Sequence, residues 1–205
     1  MILEILVPTT FDRDEYRKRF MNRLLPQIDR YKDRVKISLN LDEGEHKGGK
    51  PIGMKRNELL QEAVGEYVCF WDDDDYVSAT AVKSVLESIR TGHALYLGGV
   101  DVIGIKGHKR NIKQKTVERF IQSIKFKQRA RNGDTIISYP THLNPVKRSI
   151  ATQIKFPCIS FGEDAQYADK LRHLLKTEVM INETIYFYEY RSDKEERIDQ
   201  PTAHF

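Results

Sequence analysis

The first hundred residues alternate between short apolar runs and stretches whose apolar residues recur at helical spacing, and that alternation constrains the chain more than any other feature. ILEILV (2–7) stops at Pro8-Thr9-Thr10, a strand followed by a turn. Tyr16, Phe20, Leu24 and Ile28 then recur every four residues, with Met21 and Leu25 beside them, which predicts a helix capped by Thr10 or Asp12. VKISLN (35–40) reads as a second strand, MKRNELLQEAV (54–64) as a helix ended by Gly65, and YVCFW (67–71) as a third strand. SATAVKSVLESIR (78–90) predicts a helix with Ser78 as N-cap, and ALYLGGVDVIGI (94–105) is extended. Strands separated by helices build a parallel sheet with helices on both faces, and such sheets place ligands at the carboxyl ends of their strands.

The second half is less regular. Val117, Phe120, Ile121 and Ile124 predict a helix with an apolar seam, TIISYP (135–140) a strand, and Asn144-Pro145 the N-cap and first residue of a short helix. EDAQYADKLRHLL (163–175) is helical, and VMI and TIYFYEY are late strands. A chain of 205 residues, 40% hydrophobic and 31% charged, suits one soluble α/β domain, and it holds no apolar run long enough to span a membrane. MILEILV lacks a basic leader and reads as a first strand, while Cys69 and Cys158 sit in apolar settings as the reduced thiols of a cytoplasmic protein. Charge is uneven. Residues 106–131 hold ten Lys/Arg and one Glu, a local charge of +9, so the net +4 leaves −5 elsewhere.

YVCFWDDDDY (67–76) drives an apolar strand into four consecutive aspartates. Such a run is either a solvated turn or a seat for something cationic, and Asp72 to Asp75 suit Mg²⁺ or Mn²⁺ held by one or two carboxylates and a ligand's phosphates. Lys50, Lys55 and Arg56, from the preceding connection, fall near the same sheet edge. Cations and an acid cluster together suggest a nucleoside diphosphate.

At these residues the chain resembles family 2 glycosyltransferases, which have the GT-A fold. VGEYVCFWDDDDYVS is similar to that family's G-E-Y…F-L-D-x-D-D signature, and GMKRNELLQEAVGEY to its lead-in, with Lys55 in place of the usual Ala. LVPTTFDRDEY resembles its opening strand, FGEDAQYADKL its G-E-D element and YEYRSDKEE its Tyr-rich late strand; 104–140 matches nothing in it. The resemblance implies one GT-A domain with a nucleotide-sugar half (1–103), an acceptor and catalytic-base half (104–190) and a tail (191–205). It implies that Pro8 and Thr9 border the nucleotide pocket, that Asp42 contacts base or ribose, and that Lys55, Arg56 and Asn57 line base and phosphates. Asp72 would hold ribose or metal and Asp74 the metal, with Asp73 and Asp75 in contention because the register within the run is open by one residue. Asp164 would be the general base of an inverting transfer, with Glu163 beside it. His204 or His142 would add a ligand to the metal.

The donor is then a nucleoside-diphosphate sugar, UDP-linked by default, and the acceptor must be read from 106–131. Lys109, Arg110, Lys113, Lys125, Lys127 and Arg129, with His142, Phe120, Phe126 and His108 among or near them, suit an acidic polymer. DNA carrying a hydroxymethylated pyrimidine, as small phage glycosyltransferases modify, comes first; a bacterial surface polysaccharide or lipid-linked glycan comes second. A solvated helix face would also explain the cations. A nucleotidyltransferase would open with a Gly-rich phosphate loop, which residues 8–19 lack, and a non-catalytic DNA-binding protein would leave the aspartates unexplained. Trp71 and Tyr76 flank the run and read as core or as a base platform.

Overall fold

The structure, a computed structural model, describes residues 1–190. The tail, with His204, lies outside the described residues. β1 (Leu3–Thr10) runs between β2 (Val35–Asp42) and β3 (Tyr67–Phe70) and pairs parallel with both, Ile5 standing opposite Ile37 and Cys69. Three helices make the returns: α1 (Asp14–Asp29), α2 (Ile52–Glu62) and α3 (Ala81–Leu95). Alternation along β1 divides the core. Leu3, Ile5 and Val7 pack with Phe20 and Leu24 of α1 and Val82, Val85 and Ile89 of α3, whereas Leu6 joins Leu59 and Leu60 of α2. Helices therefore cover both faces, as the sequence pattern requires.

β1 runs through Pro8, Thr9 and Thr10 instead of turning there, and carries them to the sheet edge. Neither expected hydroxyl caps its helix. Thr10 precedes a 3₁₀ turn at Phe11–Arg13 without a side-chain cap bond, and α3 starts at Ala81 after Thr80, while the Ser78 amide donates to the Ile185 carbonyl.

The other half extends the same sheet. β4 (Tyr76–Val77) follows the aspartates, β5 (Val102–Asn111) follows α3, and β6 (Thr116–Gln122) returns antiparallel to β5. β7 (Ala130–Asn132) and β8 (Thr135–Ser138) form a hairpin beside β6, and β9 (Val146–Lys147) bridges β3 and β5. α4 (Arg148–Ala151) and α5 (Glu163–Leu171) lead to β10 (Glu178–Tyr190), one long strand where two were expected, parallel to β5 and antiparallel to β4. Tyr167 and Leu171 of α5 pack with Leu59 and Phe70 on the α2 face. The main path is β2-β1-β3-β9-β5-β6-β8-β7.

Two more sequence expectations fail in this half. The helix expected over 117–124 is strand β6: Val117 is 57% exposed while Phe120 is 7% exposed, so the apolar positions do not form one helical seam. Phe120 stands opposite Gly107, and a Cβ there would come within 2.1 Å of its ring, so the glycine makes room for the phenylalanine across the hairpin. Asn144 caps no helix. Its side chain accepts from the Thr141 amide at 2.9 Å and donates to the Ile103 carbonyl at 2.9 Å, which locks the turn before β9, and α4 begins only at Arg148.

Candidate active site

The aspartate run leaves β3 at the carboxyl edge of the parallel strands, and its four side chains part ways. Asp75 is fully buried: Tyr186 Oη donates to it at 2.7 Å and the Glu189 amide at 2.8 Å, so it fastens β10 to the loop. Burial first, then Asp74 and Asp72, push its carboxyl well above the usual range. Asp73 is buried too, gripped by Arg13 through Nε at 2.9 Å and Nη2 at 2.7 Å, and it accepts the Thr9 hydroxyl. Asp72 and Asp74 remain partly exposed, with side chains 22% and 25% accessible.

Asp72 is held charged. Burial works against the carboxylate, but Arg56, whose Nη2 donates to it at 3.0 Å, and His142 bring it below the ordinary carboxylate range. Arg56 is itself buried, lies over the Phe70 and Phe156 rings, and places Nη1 3.0 Å from Glu163. One guanidinium thus joins the end of β3 to the start of α5. Burial pushes the Glu163 carboxyl up, against the pull of Arg56. Asp164, the next residue, is open, with its side chain 46% accessible, and caps the Ala165 amide at 2.8 Å. His142, only 7% exposed, stands between them: Nε2 is 3.6 Å from Asp72 and Nδ1 is 4.0 Å from Asp164, and neither nitrogen has a hydrogen-bond partner. The fold therefore brings Asp72, Glu163, Asp164 and His142 together from three separate stretches of sequence.

The remaining expected donor residues line the ends of β1 and β2. Lys55 is buried, donates to the Thr9 carbonyl at 2.8 Å and pairs with Asp42, which also accepts the Gly44 and Lys50 amides at 2.8 Å each. Pro8 and Thr9 are buried in the same strand end. Asn57 faces elsewhere, exchanging two 2.8 Å bonds with the Phe156 backbone. The Lys50 ammonium also turns away, to Glu58 at 2.7 Å. Trp71 is core, its indole donating to the Leu143 carbonyl at 3.3 Å, and Tyr76 lies beneath Arg19 at 4.2 Å.

Arg13 and Arg19 were not read from the sequence. Arg13 Nη2 also reaches Asp74 at 2.9 Å, and Arg19 donates to the Asp74 carbonyl at 2.9 Å and to Glu189 at 3.2 Å. Their signal was position: the first turns of the helix after β1 must lie at the same sheet edge as the end of β3. Among the described residues no three His, Cys, Asp or Glu side chains converge as a complete metal cage. Two partly exposed carboxylates, Asp72 and Asp74, nonetheless fit the pattern in which Mg²⁺ or Mn²⁺ takes one or two protein oxygens and the rest from phosphates.

The cations of 106–131 lie on the β5–β6 hairpin and the loops after it. Arg110 Nη1 is 3.9 Å from Glu189, the Lys109 ammonium lies 4.5 Å from the centre of the Tyr190 ring, and Arg131 pairs with Glu118. Lys113 falls in the turn, while Lys125, Lys127 and Arg129 are exposed beyond β6. His142, expected either with these residues or at the metal, lies at the carboxylates.

The family model described as "Glycosyl transferase family 2" matches residues 45–154, more than half of the chain. A crystal structure of residues 1–349 of S. aureus TarS in complex with UDP-GlcNAc is 19% identical, with a TM-score of 0.65, covering 98% of this chain and 62% of that one. The same TarS fragment in complex with UDP gives a TM-score of 0.61 at 19% identity, covering 93% of this chain and 61% of that one. This chain thus spans about three fifths of those structures, and the likeness shows the fold, GT-A. No curated protein matches it.

Proposed function

The chain belongs to glycosyl transferase family 2, and on that premise we propose that it moves a sugar from a UDP-sugar to a hydroxyl of an acidic polymer, inverting the anomeric centre. The observation that carries this reading is the meeting of Asp72, held charged by Arg56, with the open Asp164 at the carboxyl edge of β1 and β3. The TarS complex with UDP-GlcNAc supports a UDP-linked donor. Asp42 and Lys55 at the ends of β2 and α2 face the uridine side, and Asp72 and Asp74 the diphosphate side. Asp72 and Asp74 would hold Mg²⁺ or Mn²⁺, which would supply positive charge to the leaving diphosphate. Arg13, already on Asp74, adds a second cation there. Asp164 takes the proton from the acceptor hydroxyl as that oxygen attacks the sugar, and Arg56 holds Glu163 and Asp72 apart from the proton transfer.

The acceptor we favour is DNA bearing a hydroxymethylated pyrimidine, because the +9 segment begins in a hairpin beside β10, the strand whose Glu189 amide bonds Asp75, and continues in the loops after it. A surface polysaccharide or lipid-linked glycan is the second reading; no helix of the described residues is long and apolar enough to cross a membrane. A tritiated sugar offered from UDP, GDP and CDP to hydroxymethylated DNA and to acidic glycans, with Mn²⁺ or EDTA, tests all of this. Label appearing in DNA, from a UDP-sugar, with Mn²⁺ and less so at high salt is the expected result. Label only in glycan moves the second reading to first place, and DNA binding without transfer from any donor would mean a non-catalytic protein.

A further inference from the structure

Tyr186, Tyr188 and Tyr190 occupy alternate positions of β10 and so share one face. The first is engaged at the root of the site, its hydroxyl on Asp75 and on the Asp72 amide. The other two continue outward from the carboxylates, their ring centres 6.5 Å apart and tilted by 37°. Lys109 stands opposite Tyr188 in the parallel register and sets its ammonium over the Tyr190 ring. Alternation puts Arg110 on the other face, beside Glu189, so Lys109 is the cation of its pair that shares the tyrosines' side. Burial first, then the charges of Asp75, Asp72, Asp74 and Asp164, push the Tyr188 phenol up.

We propose that Tyr188, Tyr190 and Lys109 form an acceptor subsite that stacks unpaired bases of a single-stranded nucleic acid and directs a base-borne hydroxyl toward Asp164. The proposal rests on the glycosyl-transfer reading and deepens it. Aromatic side chains next to cations bind single strands because every base offers a flat face, whereas a closed duplex presents only base edges. Tyr188 packs partly against the core and both rings are half-buried, and the parts they leave accessible supply the faces. The cations of the hairpin, Lys109, Lys113 and Lys115 among them, supply the countercharge for phosphates at a distance from the carboxylates.

The test is fluorescence anisotropy of a labelled 5-hydroxymethylcytosine 12-mer, as single strand and as duplex, at two salt concentrations. Wild type should bind the single strand more tightly than the duplex, and more weakly as salt rises. Tyr188→Leu and Tyr190→Leu should each weaken single-strand binding roughly tenfold, and Tyr188→Phe, which keeps the ring, should not. Duplex preference, equal binding by the leucine variants, displacement by an acidic glycan better than by the single strand, or no binding by wild type would each overturn the proposal. A UDP-induced thermal shift with Mn²⁺, read on every variant, separates the two levels. Absence of a UDP shift in wild type defeats the transferase reading itself, while an intact shift with unchanged 12-mer binding defeats the subsite alone.

Discussion

Asp75→Ala should weaken the fold, although it sits in the aspartate run proposed to receive the donor. Asp75 accepts the Tyr186 hydroxyl at 2.7 Å and the Glu189 amide at 2.8 Å, and both donors are buried. Each buried donor left without an acceptor costs about 1–3 kcal/mol, and relief of a buried charge beside Asp72 and Asp74 offsets part of the sum. A loss of about 2–4 kcal/mol follows, a large share of the ~5–15 kcal/mol that holds a domain together. Urea unfolding followed by Trp71 fluorescence measures it as a shift in midpoint at constant slope. Its pH dependence adds a sign. A carboxyl whose folded pKa is raised binds its proton in the folded state where the unfolded chain has lost it, so its contribution to stability falls as pH rises through that window. The gap between wild type and Asp75→Ala should therefore widen as pH falls from neutral toward about 4. A variant as stable as wild type, or a gap that closes on acidification, would refute the division of the run into buried ties and partly exposed carboxylates.

Two further outcomes separate the remaining carboxylates, and a third tests the hairpin. Asp74→Asn should change stability by no more than about 1 kcal/mol, since its pair with Arg13 is partly exposed, yet remove most transfer, with EDTA mimicking it in wild type; full turnover in EDTA would contradict the metal reading. Asp164→Asn should leave donor affinity in place and lower transfer by about 10² or more, and a parallel collapse of donor binding in titration would assign it to the donor site instead. Gly107→Ala should destabilise the hairpin, because a Cβ would strike the Phe120 ring and the Tyr186 carbonyl, and a loss of amide protection in β5 and β6 by hydrogen exchange reads this out.

The amino-terminal half was legible because its elements are complete in the local pattern. β1, β2 and β3 are apolar runs bounded by turn residues, and the helices between them carry regular apolar spacing, so parallel pairing and the position of the aspartates followed. The hairpin was not legible for a physical reason. The residue that enters the left-handed region in its turn is Lys115, at φ 53°, not the Gly or Asn that would announce a turn, and Val117, Phe120, Ile121 and Ile124 match helical spacing by coincidence. Within the aspartate run, four identical letters concealed two buried ties and two open carboxylates; only Tyr186, Glu189, Arg13 and Arg56, distant in sequence, divide them. His142 was open between the metal and the acceptor in the sequence, and the Thr141–Asn144 turn sets it beside Asp72.

The central claim is that Asp72 and Asp74 receive a nucleoside diphosphate at the carboxyl edge of the parallel strands. Calorimetric titration of UDP into the protein, with Mn²⁺ and with EDTA, and into Asp74→Asn, tests it most directly. The account predicts saturable binding to wild type with Mn²⁺, weakened at least tenfold by either change, which is a loss of about 1.4 kcal/mol or more. No UDP binding by wild type, or equal affinity in all three titrations, would contradict it.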